Sequence, residues 1–432
     1  MALRVVELVE EDLQPATRRL AEVVDELAGR TADALAGVDD DSREADLVDQ
    51  IAQLERLRSA VAALQAARMV RFGRARVERQ LAEDVHPREI GRGVAEEIGL
   101  ACRVSPTVAA RRLCSARARW FDLPRTYAAL PVGAVSEQTA EAVVTETRHL
   151  DVVTRRAVDA RLHDAGLDGL GLREAAALAR RYAYEADREA YVARGQHERK
   201  HRRVGLRPAP DTMSVLSGYL PVEQGVACLA ALRRHTDGVV ATGDERTRDQ
   251  IMADTLVERL TGQARAADVA VEVQIILPAD LATSSTSART ATVTGAGPLP
   301  GPIVHDVVDA SHGTKRFRHV YASPSGRLVG IDTRRRRFTG ALADLIAARD
   351  QTCREPFCGA PVRHLDHVQR HSDGGDTTLA NGRGLCARHN LARENPGWSA
   401  TVVHDGHGDQ PHTVRTTTPT GHTYTARAPD PP

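Results

Sequence analysis

The residues best placed to do chemistry lie between Arg349 and Asn395, in RDQTCREPFCGAPVRHLDHVQRHSDGGDTTLANGRGLCARHNLAREN. Cys353 and Cys358 form a C-x4-C pair, and Cys386 and His389 form a C-x2-H pair. Two close pairs separated by a longer loop offer four soft or borderline ligands, the set that tetrahedral Zn²⁺ prefers. A segment this short, with almost no aromatic residues, needs such a staple to fold.

A second group of residues has different chemistry. Asp366 and Asn390 carry hard oxygen donors, suited to one Mg²⁺ or Mn²⁺ that keeps most of its waters. His367, next to Asp366, is an imidazole of the type that takes a proton from an attacking water at neutral pH. Asn381 has two donors and an acceptor, enough to hold a loop and so orient His367. Arg363, Arg370, Arg383 and Arg388 are candidate phosphate contacts, and His371 is a further one. Asp-His pairs are common on ordinary exposed turns, so the flanking zinc pairs carry much of the weight.

These side chains need elements to position them. His364-Leu365-Asp366-His367 reads as the end of one hairpin strand, with a turn at Asp373-Gly374-Gly375. From Leu385 the pattern predicts a helix bearing Asn390. After Trp398, SATVV, HTVRTTT and HTYTA read as short strands of a β-extension (401–432), with a disordered tail at Ala428–Pro432. Upstream, residues 1–262 read as helix almost throughout. Leu47, Ile51, Leu54, Leu57, Val61 and Leu64 recur at three- and four-residue spacings and form one helical face. That face suits an internal core or a seam in a homodimer. Scarce aromatics, 3% of the chain, mean the helices must pack on Leu, Val and Ala. In GVAEEIGLACRVSPTVAARRLCSARARW a helix (93–102), a tight turn and a second helix resemble a helix-turn-helix. Ser105 is its N-cap, Pro106 its first residue, and Arg111, Arg112, Arg117 and Arg119 lie on it. A plain packed helix pair has the same pattern. Residues 263–340 read as a connector, with a strand at 269–279, a flexible linker near 281–302 and two short strands around Ser323–Gly326.

The order Asp-His…Asn…Asn between two metal-ligand pairs resembles the HNH endonuclease family over residues 345–396. The resemblance implies a ββα-metal fold, giving a mainly α N-terminal domain plus a small α+β, zinc-stapled C-terminal module at 341–400. It also implies that His367 is the general base, Asp366 and Asn390 hold the catalytic Mg²⁺ or Mn²⁺, and Asn381 positions the base. Asn390 stands where many members have His, and His389 where many have the fourth zinc cysteine. Nearly the whole chain, including RVSPTVAARRL, LPVGAVSEQTAEAVVTETRHLD and RVGLRPAPDTMSVLSGYLP, is also similar to bacterial proteins with a domain of unknown function 222 and an HNH signature. DNA is the implied partner. A catalytically inactive zinc module serving DNA or protein binding is the rival reading.

Bulk properties mainly exclude. Net charge is zero, so overall charge does not point to nucleic acid. Lys200 and Lys315 are the only lysines, and the Arg bias runs along the whole chain, as high-GC coding would produce. No apolar run is long enough to span a membrane and the N-terminus is not signal-like, so a cytoplasmic location is expected. Six cysteines in 432 residues do not make a disulfide scaffold; Cys102, Cys114 and Cys228 read as small buried residues. A zinc deaminase is excluded, because no H-x-E is paired with P-C-x-x-C.

Overall fold

The computed structural model describes residues 44–263, 265, 275–276, 290–293, 297–300, 302–304, 306, 337–407 and 410–429. The chain is mostly helical, with a small C-terminal sheet region. Helix α1 (Glu44–Ala82) is long, and its C-terminal half buries Ala63, Ala66, Ala67, Met69 and Val70. Of the face read as an internal core or a homodimer seam, Leu47, Ile51 and Leu54 are exposed and so join no core among the described residues. Small residues, not leucines, let the neighbouring helices approach α1.

Helix α2 (Val94–Ala101) and helix α3 (Pro106–Asp122) follow, joined by the turn at Cys102–Ser105. Ser105 accepts the Val108 amide and Pro106 opens α3, as the sequence indicates. Gly99 makes the tight return possible. A Cβ there would stand 2.9 Å from the Val104 carbonyl oxygen and 3.4 Å from Pro106 N. Met69, Val94, Ile98, Ala109 and Leu113 close a three-helix core with Phe72 and Val104.

A second core, built almost wholly from Leu, Val and Ala, joins α4 (Pro124–Ala129), α5 (Glu137–Thr147), α6 (Val152–Asp164) and α7 (Leu172–Ala186). Buried Asp159 on α6 caps α4, accepting the Arg125 and Thr126 amides and the Thr126 hydroxyl. Helix α8 (Arg188–Lys200) extends this unit.

The helical expectation fails next. Arg203–Pro208 (β1) and Ser214–Tyr219 (β2) form an antiparallel hairpin. Pro208 and Pro210 stop a helix, and Asp211 and Thr212 take positive φ in the turn. Helices α9 (Val222–Ala241) and α10 (Arg248–Thr261) complete the helical part. Cys114 and Cys228 are exposed, contrary to the buried role expected of them; each falls on a helix face with no core opposite it.

In the connector, Ile275–Ile276 (β3), Thr290–Val293 (β4) and Gly297–Pro300 (β5) pair as one antiparallel sheet. The stretch expected to be linker thus contains strand, because Thr, Val and Leu outweigh its glycines locally. The strands expected around Ser323–Gly326 lie outside the described residues.

The C-terminal part begins with α11 (Ala341–Asp350), followed by β6 (His364–His367), a short 3-10 turn (His371–Asp373), β7 (Gly382–Leu385) and α12 (Ala387–Ala392). Strands β6 and β7 pair antiparallel, with Asp366 opposite Arg383 and His367 opposite Gly382. Strands β8 (Ser399–His404), β9 (Thr413–Thr417) and β10 (Thr423–Arg427) form the expected extension, in the order β10-β9-β8. Ala428, expected in a disordered tail, is buried and donates its amide to the His412 carbonyl.

Phe338, Leu342, Leu345, Ile346 and Leu379 seat α11 on the hairpin. Gly382 is the point of closest approach: a Cβ would stand 2.4 Å from Ile346 Cδ1 and 2.8 Å from Phe338 Cε1. Gly382→Ala must therefore push α11 off β7 and is expected to cost about 1–3 kcal/mol. Denaturant unfolding followed on the C-terminal part would read this; an unchanged midpoint would contradict the packing described.

Candidate metal centre and active site

Four ligand atoms converge where the loop before β6 meets the start of α12. The donor atoms of Cys353, Cys358, Cys386 and His389 all lie within 4.8 Å of one another. The Sγ atoms of Cys358 and Cys386 are 3.8 Å apart, and His389 Nδ1 stands 3.3 Å from Cys353 Sγ and 3.5 Å from Cys386 Sγ. Two sulfurs sharing a zinc at ~2.3 Å each are separated by about 3.8 Å, so the donor set and its spacing fit Zn²⁺. Cys386 is also the N-cap of α12 and accepts the His389 amide, which sets the helix on the cluster.

The cluster is electrostatically coupled. Hydrogen bonds from Cys353 and Cys358 hold the Cys386 thiol low, whereas bonds to Cys358 and Cys386 push Cys353 up. Burial lowers His389, but hydrogen bonds to Cys358 and Cys386 outweigh it and raise the ring to about 10. Zinc binding must displace these protons, so affinity falls with acid.

Buried ion pairs brace this centre. Asp350, fully buried, accepts Arg349 Nε at 2.7 Å and the Gly384 amide at 2.6 Å, with Arg354 Nε at 3.3 Å. Arg349 also donates to the carbonyls of Leu379 and Gly382, tying α11 to the start of β7. Glu355 pairs with Arg383 at 2.7 Å and accepts the Thr416 hydroxyl, tying the cysteine loop to β7 and β9.

Beside the cluster stand the residues expected to do chemistry. Asp366 and His367 end β6. His367 is 9% exposed, hydrogen-bonds through Nε2 to Thr377 Oγ1 at 2.9 Å, and packs on Phe338 with ring centroids 4.4 Å apart. Asn381 uses its whole carboxamide on the loop: Oδ1 accepts the Gln369 amide, and Nδ2 donates to the Gln369 and Asp376 carbonyls. This pins residues 369–376, where Gly375 is obligatory because a Cβ would fall on Gln369 O. Asn390 sits half-buried on α12, which packs against β6 and β7. Its side chain has no hydrogen-bond partner among the described residues.

The four candidate phosphate contacts separate. Arg363 is exposed. Arg370 is half-buried, 3.4 Å from Glu394, and bonds the Arg393 carbonyl. Arg388 pairs with Glu96. Arg383 is 1% exposed and turned inward to Glu355, so it cannot meet a phosphate; its place in a buried strand opposite Asp366 makes it a structural cation. His364 and His371 are exposed.

Sequence reasoning missed Arg393. Its guanidinium is buried, bonds Asp366 Oδ2 and the His367 carbonyl, and donates to the Val368 carbonyl at 2.9 Å. Arg393 lies three residues after Asn390, hence on the same helical side, and that spacing was the available signal. Phe338 and Thr377, the neighbours of His367, carried no local signal.

The module also docks on the helical part. Glu96 and Glu97, both buried at the start of α2, reach Arg388 and Thr420 respectively, and Glu97 pairs with buried Arg76 of α1. Trp398 Nε1 closes on Gly93, whose Cβ would stand 3.3 Å from it.

Residues 51–350 match the family described as Domain of unknown function (DUF222), and the chain belongs to it. The chain is 30% identical to uncharacterized protein Rv3776 of Mycobacterium tuberculosis over 156 residues, 35% of this chain and 27% of that protein. It is 28% identical to uncharacterized protein Rv2100 of the same organism over 206 residues, 46% of this chain and 32% of that protein. The chain thus spans about a third or less of the length of these relatives. No solved structure matches. The metal cluster begins just beyond the family match. Among the described residues, no helix is long and apolar enough to cross a membrane.

Cys353→Ser should abolish stoichiometric zinc and unfold the C-terminal part while leaving the α5–α7 core folded, since structural zinc supplies on the order of 10 kcal/mol. Zinc content and circular dichroism of the variant test this. Retained zinc would remove Cys353 from the site.

His412 gives a pH prediction. It is 2% exposed, accepts burial beside Arg349, bonds the Ala380 carbonyl at 2.8 Å, and is pushed down to about 4. Its ordinary value is 6.5, so the unfolded chain takes the proton first as pH falls. The stability is fully present above about pH 6.5 and is lost toward pH 4, by roughly 3 kcal/mol. His412→Gln should lose less stability than wild type between these limits, measured as urea midpoints with zinc present in both proteins. Parallel losses would refute the assignment.

Proposed function

We propose that residues 341–400 form a ββα-metal module of the HNH endonuclease type and that the protein hydrolyses phosphodiester bonds in DNA. The observation that carries this reading is the Cys3His cluster joining the loop before the β6–β7 hairpin to the start of α12. The hairpin bears Asp366 and His367, Asn381 precedes its second strand, and α12 bears Asn390. This reproduces in space the order Asp-His…Asn…Asn. The zinc-type cluster is the scaffold, and Asp366 with Asn390 supplies the hard oxygens.

A Mg²⁺ or Mn²⁺ held by Asp366 and Asn390 would supply a Lewis acid for the phosphate oxygens. Its fit is partial, because Arg393 already engages Asp366 Oδ2 and leaves Oδ1 to offer. His367 takes the proton from the attacking water. Thr377 at Nε2 and the Phe338 ring fix its orientation, so no rotamer search precedes proton transfer. Asn381 is a positioning residue: it holds the loop that carries Thr377's neighbours and so the ring's polar partner.

The Arg393–Asp366 pair favours a second reading. A guanidinium already neutralises the carboxylate, which suits a non-catalytic zinc module used for DNA or protein binding.

Supercoiled plasmid incubated with the zinc-loaded protein and Mg²⁺, Mn²⁺ or no added divalent ion separates the two. Nicking that needs the divalent ion and drops at least about 100-fold in His367→Ala supports the nuclease. No cleavage with any ion, with zinc still bound, supports the binding module.

A further inference from the structure

We infer that His197 and His201, one helical turn apart at the end of α8, chelate a divalent transition-metal ion, with Cu²⁺ and Ni²⁺ the best-fitting class. Neither residue belongs to the Cys3His cluster or to the candidate active site, so the inference is independent of the nuclease reading.

The geometry of the two rings carries the inference. His197 lies in the last turn of α8 and His201 is its C-cap, four residues on, so the two side chains leave the same side of the helix one above the other. Their Nε2 atoms stand 2.9 Å apart and their ring centroids 4.6 Å apart. A linear N–H···N bond of that length would hold the centroids roughly 5.2 Å apart, so the rings are turned toward a common point rather than toward each other. Two imidazole nitrogens bound to one ion at ~2.0–2.1 Å and a right angle are separated by about 2.9 Å. A tetrahedral angle would spread them to about 3.3 Å. The pair therefore matches the tetragonal geometry of Cu²⁺ or Ni²⁺, and Cu²⁺ is also the first-row divalent ion that nitrogen ligands bind most tightly.

Taking up the ion asks little of the protein. Both residues are exposed, so each ring can carry its proton on Nδ1 in water and present a lone pair at Nε2. Among the described residues, the two rings hydrogen-bond only each other, so no third group competes for these nitrogens. The other close histidine pair, His367 and His371, has ring centroids 5.7 Å apart and lies in the site already described.

The surroundings fix the pair and define what it binds. Glu198, between the two histidines in sequence, accepts Arg148 at 2.8 Å and the Tyr219 hydroxyl at 3.1 Å. Arg199 makes a bidentate pair with Glu223 of α9, and the His201 carbonyl accepts Arg203 Nη1 at 3.2 Å. The last turn of α8 is thereby anchored to the end of α5, to β2 and to α9, and the rings start from a fixed base. The same contacts commit both carboxylates to arginines. The site thus offers nitrogen without oxygen, which disfavours Mg²⁺ and Ca²⁺. Its remaining positions open to water, and the carbonyl end of α8 favours a cation there. Lys200 and Arg202 oppose one, which makes this a weaker site than the Cys3His cluster.

The test is titration of the full, zinc-loaded chain with Cu²⁺–iminodiacetate, read by electron paramagnetic resonance. The chelate leaves room for two neighbouring nitrogens, so it selects paired histidines over single ones. Wild type is expected to take up one equivalent with the signature of two imidazole nitrogens, its zinc content unchanged. His197→Ala and His201→Ala should each lose that signature and weaken binding by about a hundredfold, the advantage of a second tethered ligand. Both side chains are exposed, so the variants should keep the wild-type melting curve. His407→Ala, which removes an exposed histidine beside Asp405, should change nothing. A two-nitrogen signal that survives when His197→Ala and His201→Ala are combined overturns the inference, as does copper taken up only in exchange for zinc or not at all.

Discussion

The C-terminal part depends on one constraint: two pairs of soft ligands must meet in space. Cys353 and Cys358 belong to an irregular loop, and Cys386 and His389 to the start of a two-turn helix. Between them runs a two-stranded hairpin of four residues per strand, which is marginal in water by itself. The hydrophobic contribution is small, a handful of residues around Ile346 and Leu385. A four-ligand closure removes most of the freedom of the intervening loop at once. The sites of Asp366, His367 and Asn390 are defined only after that closure, because the first two belong to β6 and the third to α12.

Around this clamp the chain uses arginine as an internal strut. Arg349, Arg354, Arg383 and Arg393 are all buried or nearly so; Arg349, Arg354 and Arg393 each span a carboxylate and one or more main-chain carbonyls, and Arg383 lies between the carboxylates of Glu355 and Asp366. A planar fork with five donors satisfies several acceptors in one place, which an ammonium group does less well. Burying such pairs is costly, and removing one partner costs more than the pair contributes. These contacts therefore fix register more than they add stability. They hold β7 against α11 and β6 against the end of α12.

Much of this was legible in the sequence, and the failures have physical causes. The paired spacing of Cys353, Cys358, Cys386 and His389 led to one metal cluster because a metal needs ligands in close pairs. Ser105-Pro106 gave the start of α3 because capping is local chemistry. Asp373-Gly374-Gly375 gave the loop, where Gly375 is sterically required. The β1–β2 hairpin was missed because its alternation is short and embedded in helix; the prolines at 208 and 210 were the signal. Arg383 was taken for a phosphate contact because sequence does not say which side of a strand faces inward. Arg393 was missed for the same reason: burial of an arginine is decided by partners distant in the chain, here Asp366 and the ends of β6.

The Arg393–Asp366 pair links the two readings of the site. A half-buried carboxylate at the end of a strand needs a positive partner whether or not it ever meets a metal ion. Arg393 provides one, and in doing so it also satisfies the carbonyls of His367 and Val368 that close the strand. The guanidinium therefore holds Asp366 Oδ2 in place while the second oxygen stays uncommitted. A divalent ion arriving there would share the carboxylate with Arg393, lowering affinity but leaving the oxygen already in place. Asn390, a weaker ligand than an imidazole or carboxylate, points in the same direction. Under the nuclease proposal, the arrangement would suit an ion that arrives with a phosphodiester supplying the missing negative charge better than one resident in the free protein. Helix α2 strengthens that coupling, since Glu96 grips Arg388 one residue from His389 and two from Asn390. The helical part is thereby tied to the helix that carries both the clamp and the candidate ligand.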